Sequence, residues 1–145
     1  MDVLEVATAV GAGLVAGVFF VFSVAIMPAF ARLPPVHGVA VMQAINVTIV
    51  RAPFLVVFVG TAVACVGQVV LAPGDLLGVL GAVLYVVGGF GVTMVFNVPL
   101  NNRLDRLDAG ADDPFWARYA GRWTAWNHVR TLASAAAAVA LAAAA

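Results

Sequence analysis

The stretch that decides the fold is "VATAVGAGLVAGVFFVFSVAIMPAFA", residues 6–31, which contains no charged side chain. A helix rises about 1.5 Å per residue, so about 20 apolar residues cross the roughly 30 Å hydrocarbon core of a bilayer. The run is also longer than the roughly 7 to 15 residues of a signal-peptide core. It therefore predicts a retained transmembrane helix over about residues 4–30.

The composition of the whole chain agrees with that prediction. The 145 residues are 64% hydrophobic and 10% charged, with a mean hydropathy of +1.08, whereas soluble domains are roughly 25% charged. The length suits a single domain, residues 1–145, whose main partner is the lipid bilayer. The net charge is zero and lysine is absent, so we expect neither a nucleic-acid partner nor a polybasic lipid-binding patch.

Three more apolar segments follow, at about residues 53–71, 76–100 and 123–145. Lipid admits only helices or closed barrels, and these runs exceed the roughly 9 to 11 residues of a barrel strand. The sequence therefore predicts an all-α, four-helix transmembrane bundle with a polar loop between spans three and four. A short, mildly amphipathic segment follows the first span. Residues 39–51 are equally compatible with an interfacial helix and with the start of span two.

The arginines predict the orientation of the bundle. Six of them fall in the segments after spans one and three, and the opposite side carries neither lysine nor arginine: Arg32, Arg51, Arg103, Arg106, Arg118 and Arg122. Positive residues favour the cytoplasmic side of a membrane. We therefore expect a multi-pass protein with both termini extracytoplasmic, which in a bacterial cell means the inner membrane.

The densest polar cluster, "WTAWNHVR" at residues 123–130, stands where the last span begins. At about 100° per residue, one helix face carries four of its side chains, Trp123, Trp126, Asn127 and Arg130, and His128 points to the side. An arginine at the centre of a span costs about 2.5 to 3.5 kcal/mol, so it should turn into the bundle and find partners.

Each of the other spans offers polar or soft groups at a similar depth. The candidate substrate-binding residues are Met27, Asn46, Asn97, Asn101, Trp123, Trp126 and Asn127. The tryptophans are equally compatible with interfacial anchoring, and the asparagines with interhelical bonds of about 0.6 kcal/mol each. Arg130 could also serve only to bond carbonyls that Pro99 leaves free.

A neutral His128 could accept a proton. The only other histidine, His37, is expected in an exposed turn on the same side of the membrane. Two histidines without cysteine or carboxylate partners make a poor ligand set for haem or metal. No metal or other cofactor is therefore predicted.

Four segments, "GVFFVFSVAIMPAF", "VMQAINVTIV", "FNVPLNNRL" and "WTAWNHVRT", together resemble the small four-span bacterial membrane proteins grouped with the fungal anthrone oxygenases. The resemblance covers nearly the whole chain. It implies a four-helix membrane protein, and its fungal relatives oxidise anthrones to anthraquinones with molecular oxygen.

The polar cluster is compatible with such an oxidation, because an anthrone has an acidic C–H opposite a ring carbonyl. We expect a catalytic pair in which His128 is the base and Arg130, with Asn97 and Asn127, holds the oxyanion. A planar lipophilic phenolic substrate would enter from the membrane without any cofactor. The alternative is a non-catalytic membrane protein, or homo-oligomer, that binds a lipid, a quinone-like ligand or a partner protein through the same cluster.

Overall fold

The computed structural model describes residues 3–108 and 113–145, and these residues form five helices and no strand. The helices are α1 (Val3–Phe30), α2 (Pro35–Ile49), α3 (Ala52–Leu71), α4 (Leu76–Leu104) and α5 (Phe115–Ala144). The all-α prediction is confirmed. By length and composition, three helices are long and apolar enough to cross a membrane: α1, α3 and α4. This finding is compatible with a membrane protein. Helix α5, whose N-terminal part is polar, is not among these three helices. A fourth crossing, and therefore the four-helix transmembrane bundle, stays a prediction.

The amphipathic segment after α1 is a helix of its own. A turn at Val50 and Arg51 separates α2 from α3, and Pro53 stands in the first turn of α3, where a missing N–H costs nothing. Nε2 of Gln43 donates to the carbonyls of Leu104 and Leu107, both at 3.0 Å. These two bonds fix α2 beside the end of α4.

Two helices contain π-helical turns just before a proline. In α1 the N–H of Met27 bonds to the carbonyl of Phe22, and Pro28 follows. In α4 the N–H of Val98 bonds to the carbonyl of Thr93, and Pro99 follows. Because proline lacks an N–H, the preceding carbonyls are free to form the wider turn. Neither proline ends its helix.

The interior consists of two hydrophobic clusters stacked along the helices. The alanine-rich cluster contains Ala12, Val15, Phe19, Phe58, Ala62, Cys65, Ala82, Tyr85, Ala137 and Leu141. The tryptophan cluster contains Phe22, Met27, Phe30, Val39, Met42, Leu104, Phe115, Trp116, Tyr119 and Trp123. Both draw on α1 and α5, and α5 packs extensively against both α1 and α4.

Glycines bring α4 and α5 together within the alanine-rich half. A Cβ added at Gly88 would overlap the side chain of Ala133, and one at Gly81 would lie 2.7 Å from Cγ of Leu141. Small residues at such positions let helix backbones approach closely. The two helices are therefore in direct contact there, with no room for a ligand between them.

Helix α5 begins before the predicted span. Oδ1 of Asp113 accepts the N–H of Phe115 at 2.7 Å and caps the first turn. Trp116 then packs edge-on against Phe30, with ring centroids 5.8 Å apart. The polar loop is accordingly shorter than predicted, because tertiary contacts hold this extension in helical form. Part of the loop, residues 109–112, lies outside the described residues.

Candidate functional site

Arg130 is buried in the bundle and is only 4% exposed. One terminal nitrogen donates to Oγ1 of Thr93 on α4 at 3.2 Å, and the other donates to Oδ1 of Asn127 at 2.6 Å. The guanidinium carbon lies 4.1 Å from the ring centroid of Phe19 and 5.0 Å from that of Trp123. The cation is thus stabilised by two polar side chains and two aromatic faces.

The donors of Arg130 are not all used. A guanidinium offers five N–H groups, and Nε of Arg130 has no partner among the described residues. A buried donor without a partner is costly, by about 1 to 3 kcal/mol, and more for a charged group. A guanidinium held rigidly with donors to spare is suited to bind an oxygen atom that carries negative charge.

Asn127 holds Arg130 in place. Its Nδ2 donates to the carbonyl of Phe19 at 2.8 Å and to Oγ of Ser23 at 2.7 Å. These two bonds fix the amide so that its oxygen faces Arg130. The side chain is fully buried, and it ties α5 to α1 in the layer between the two hydrophobic clusters.

Asn97 and Asn101 of α4 add polar side chains to the layer that contains Asn127 and Arg130, which we call the polar layer. Asn97 is fully buried, and its Nδ2 donates to the carbonyl of Trp123 at 3.3 Å. Oδ1 of Asn101 accepts two bonds of 2.9 Å, from the hydroxyl of Tyr119 and from Nε1 of Trp123. Burial raises the pKa of Tyr119, which precedes the predicted span, so the hydroxyl keeps its proton and remains a donor.

A cavity of about 270 Å³ lies between the alanine-rich and tryptophan clusters. Its polar lining consists of Asn46, Thr93, Asn101 and Arg130, and its aromatic lining consists of Phe19, Phe22, Phe54, Phe58 and Trp123. Three further lining residues, Val50, Leu55 and Met94, are 59%, 38% and 49% exposed. The cavity therefore joins a buried cation to an apolar outer surface.

Four of the residues predicted from the sequence line this cavity: Asn46, Asn101, Trp123 and Arg130. Asn46 also donates from Nδ2 to Oδ1 of Asp105 at 3.0 Å. Asn97 and Asn127 are buried in the polar layer without lining the cavity. Trp126 stacks on Phe96, with ring centroids 3.6 Å apart and planes 9° apart, and does not line the cavity.

His128 and Met27 face a different cleft. This second cleft, about 510 Å³, lies between α1 and α5 and is also lined by Ser23, Trp116 and Thr124. His128 is exposed, and its Nδ1 lies 3.0 Å from Oγ of Ser23. His128 and Arg130 are two positions apart on one helix and so point about 200° apart. His128 does point to the side, as predicted, and it lines a different cleft from Arg130; the pairing of the two as catalytic residues stays a prediction.

His37, the second histidine, belongs to no metal-ligand cluster within the described residues. His37 is exposed at the start of α2. Across residues 3–108 and 113–145, histidine, cysteine, aspartate and glutamate form no group of three or more that could hold a metal ion.

Several residues of the site were not predicted as ligand-binding. Thr93 stands one helical turn before Asn97 on the polar face of α4, and that spacing was a usable signal. Phe19 and Phe58 gave none, because they are two of nine phenylalanines in an apolar chain. Only the packing of α1 and α3 shows that their rings face the cavity.

Fold and site together define the class: a helical protein with membrane-length apolar helices that enclose an aromatic cavity beside a buried arginine. Residues 40–140 match the family model of the anthrone oxygenases, and the chain belongs to this family. The predicted family is thereby confirmed, and the match includes Arg130, Trp123 and Asn101. Neither a curated protein nor a solved structure matches the chain.

Proposed function

We propose that this protein is a membrane-embedded, cofactor-independent oxygenase that oxidises a planar lipophilic phenolic ketone with molecular oxygen. The observation that carries the proposal is the buried Arg130, which borders an aromatic cavity with donors unused. Family membership supplies the reaction class. In this proposal α5 is the fourth crossing, both termini are extracytoplasmic, and the protein lies in a bacterial inner membrane.

The size and lining of the cavity favour a compact aromatic substrate. Ligand pockets usually measure about 300 to 1,000 Å³, so a cavity of about 270 Å³ suits one molecule of a few fused rings. A phospholipid would exceed it. Aromatic side chains such as Phe58 and Trp123 offer faces and edges for offset contacts with flat rings.

Arg130 would promote the reaction by stabilising negative charge. An anthrone that loses a proton forms an anion whose charge is shared between the ketone oxygen and the carbon opposite. Donors aimed at such an oxygen in a mainly apolar cavity lower the barrier, typically by a factor of about 10² to 10³ for one donor. The proton passes to water, since the described residues that line the cavity include no carboxylate or imidazole.

The anion then reacts with oxygen, and the atoms balance without a further reagent. The carbanion carbon forms a bond to O2 and gives it two electrons, which yields a hydroperoxide after protonation. Loss of the second C–H proton and of hydroxide from the peroxide breaks the O–O bond and forms a carbonyl. One anthrone and one O2 thus give one anthraquinone and one water. His128, predicted as the base, has no contact with the substrate in this scheme.

The exposed edge of the cavity favours entry of the substrate from the bilayer. Val50 and Leu55 lie at the junction of α2 and α3, and Met94 lies opposite on α4. All three are apolar and exposed, and exposed apolar patches typically mark contacts with lipid or other partners. A water-insoluble ring compound could therefore reach Arg130 without crossing an aqueous phase.

The proposal is tested with purified protein in liposomes supplied with an anthrone. Oxygen uptake and anthraquinone absorbance are followed together, against protein-free liposomes that report spontaneous oxidation. We expect a rate above the blank that saturates with substrate, and one quinone formed per O2 consumed. A rate equal to the blank with correctly folded protein would refute the proposal.

The second candidate is a protein that binds a quinone-like ligand without turning it over. It is favoured by the same lack of a carboxylate or imidazole among the described lining residues. It predicts saturable binding of an anthraquinone with no oxygen uptake from the corresponding anthrone.

A further inference from the structure

The amide of Asn101 is held in one orientation. Its Oδ1 accepts bonds from Tyr119 and Trp123, so the opposite atom, Nδ2, must carry the two N–H groups. Those N–H groups bond to no other residue in the described part of the chain, and Asn101 lines the cavity. Asn101 therefore presents a donor to a ligand.

Asn101 and Arg130 stand at separate places along the cavity. Arg130 is bonded to Thr93 of α4, and Asn101 follows Thr93 by eight positions, which corresponds to about 12 Å along a helix. On α5, Trp123 precedes Arg130 by seven positions, or about 10 Å, and bonds Asn101. The two side chains therefore belong to different turns of the cavity wall, and the ring of Trp123 contacts both of them.

We propose that Asn101 donates a hydrogen bond to oxygen at the ring carbon that is oxidised, opposite the ketone oxygen held by Arg130. This inference rests on the proposed function. A three-ring ketone can accept one hydrogen bond of about 2.9 Å at each of two opposite edges, and Arg130 and Asn101 both line the cavity. The edge away from Arg130 is the one at which O2 adds.

The role of this donor follows from the charge on the intermediate. When the carbanion carbon bonds to O2, the two electrons it gives place negative charge on the outer oxygen of the new peroxide. An N–H group directed at that oxygen stabilises the charge. After water is lost, the same N–H group bonds the new carbonyl. The site is therefore complementary to a ligand with acceptor oxygens on two opposite edges.

Equilibrium binding under anaerobic conditions separates this inference from turnover. The probes are anthraquinone, with two opposite oxygens, and anthrone, with one, and quenching of tryptophan fluorescence in nanodiscs reports binding. We expect the wild-type protein to prefer anthraquinone by about tenfold, which is the effect of one hydrogen bond of about 1.4 kcal/mol. Equal affinities would overturn the inference.

The Asn101→Asp variant, assayed at alkaline pH so that the new carboxyl group is ionised and has no O–H donor, replaces the N–H groups by an acceptor oxygen of the same shape, which can still accept from Tyr119 and Trp123. We expect the tenfold preference to disappear, while anthrone binding changes by less than about threefold. Asn102→Asp is the matched control, because Asn102 is exposed on the next position and should leave the preference intact. A preference retained in Asn101→Asp would overturn the inference.

Failure of the two proposals gives different results. If wild-type protein binds neither probe, both the oxygenase and the Asn101 donor are refuted. If it prefers anthraquinone, and Asn101→Asp removes the preference, but no oxygen is consumed from anthrone, the oxygenase is refuted and the donor to the second oxygen stands.

Discussion

The same two helices, α4 and α5, pack in two different ways along their length. In the alanine-rich half, Gly81 and Gly88 allow α5 to touch the backbone of α4. In the half that includes the tryptophan cluster, Asn101 and Arg130 stand between the helices, and a cavity lies beside them. A change from small apolar to large polar residues thus accompanies a change from a close contact to a cavity.

The polar half itself contains two kinds of residue. The amide nitrogen of Asn127 donates to two groups of α1, and its amide oxygen accepts from Arg130. Both polar atoms of the amide are therefore used in holding α5 against α1. Arg130 and Asn101 are bonded on one side and line the cavity on the other. Arg130 and Asn101 thus combine unused donors with a position in the cavity wall, whereas Gln68 and Ser134, which also have unpartnered polar atoms, do not line this cavity.

The largest effect is expected from replacing the buried cation. Arg130→Met keeps most of the side-chain volume but removes every donor, so oxygen uptake with an anthrone should fall by about 10² to 10³. Arg130→Lys should be intermediate, because an ammonium cannot reproduce the planar contacts to Thr93 and Asn127. Arg122→Met is the matched control at an exposed position of the same helix. Equal rates in Arg130→Met and wild type would show that the cavity beside Arg130 has no part in the reaction.

The second-largest effect is expected from overpacking the alanine-rich half, where α4 and α5 are in contact. In Gly88→Ala the new methyl group overlaps Ala133, and overpacking typically costs about 1 to 3 kcal/mol. The midpoint of thermal unfolding in detergent should fall. Gly17→Ala, where nothing lies within 4 Å of the added Cβ, should leave the midpoint unchanged or raise it. Identical midpoints in the two variants would contradict the contact between α4 and α5.

A smaller loss of stability is expected in the polar half. Asn127→Ala removes the bonds to Phe19 and Ser23 and leaves one nitrogen of Arg130 unpaired. Bonds of this kind average about 0.6 kcal/mol in membrane bundles and reach about 1.7, so we expect a cost of about 1 kcal/mol in detergent unfolding. Asn102→Ala, at an exposed position, serves as the control. No difference between the two would show that Asn127 is not a tie.

The smallest effect is expected at His128. Its side chain is exposed and contacts Ser23 in the second cleft, and surface substitutions usually change stability by less than about 0.5 kcal/mol. His128→Ala should keep oxygen uptake within about threefold of wild type. Turnover lost with folding intact would instead establish His128 as the base, and would move the reaction to the second cleft.

Helical periodicity in the sequence predicted much of the candidate site. The positions of Trp123, Asn127 and Arg130 on one face predicted three buried side chains, and all three are buried. Trp126 shares that face in projection but stacks on Phe96 at its margin. Periodicity gives the direction of a side chain and not the identity of its neighbour, so it could not distinguish an inward tryptophan from a marginal one.

Two features escaped the sequence for a related reason. The continuity of α5 from Phe115 into the predicted span depends on the packing of Trp116 against Phe30, which is a contact between distant segments. The bond from Phe115 to Asp113 is local, and the sequence Asp113-Pro114 predicts a helix start there. The π-helical turns Phe22–Ile26 and Thr93–Asn97 each precede a proline, whereas the π-helical stretch Leu84–Gly91 of α4 has no proline beside it. Local composition indicates the possibility of such turns without placing them.

By itself, the sequence determined that this protein is helical, that its long uncharged runs suit a membrane, and that an arginine near the start of the last predicted span needs partners. Those conclusions depend on run length, hydropathy and the cost of burying charge, which are properties of single segments. Only the tertiary structure decided which donors remain free and which cavity they face. Hydrogen bonds are short and directional, so the arrangement of the five helices that line the cavity, and not the order of residues in one helix, determines that Arg130 and Asn101 keep unused donors.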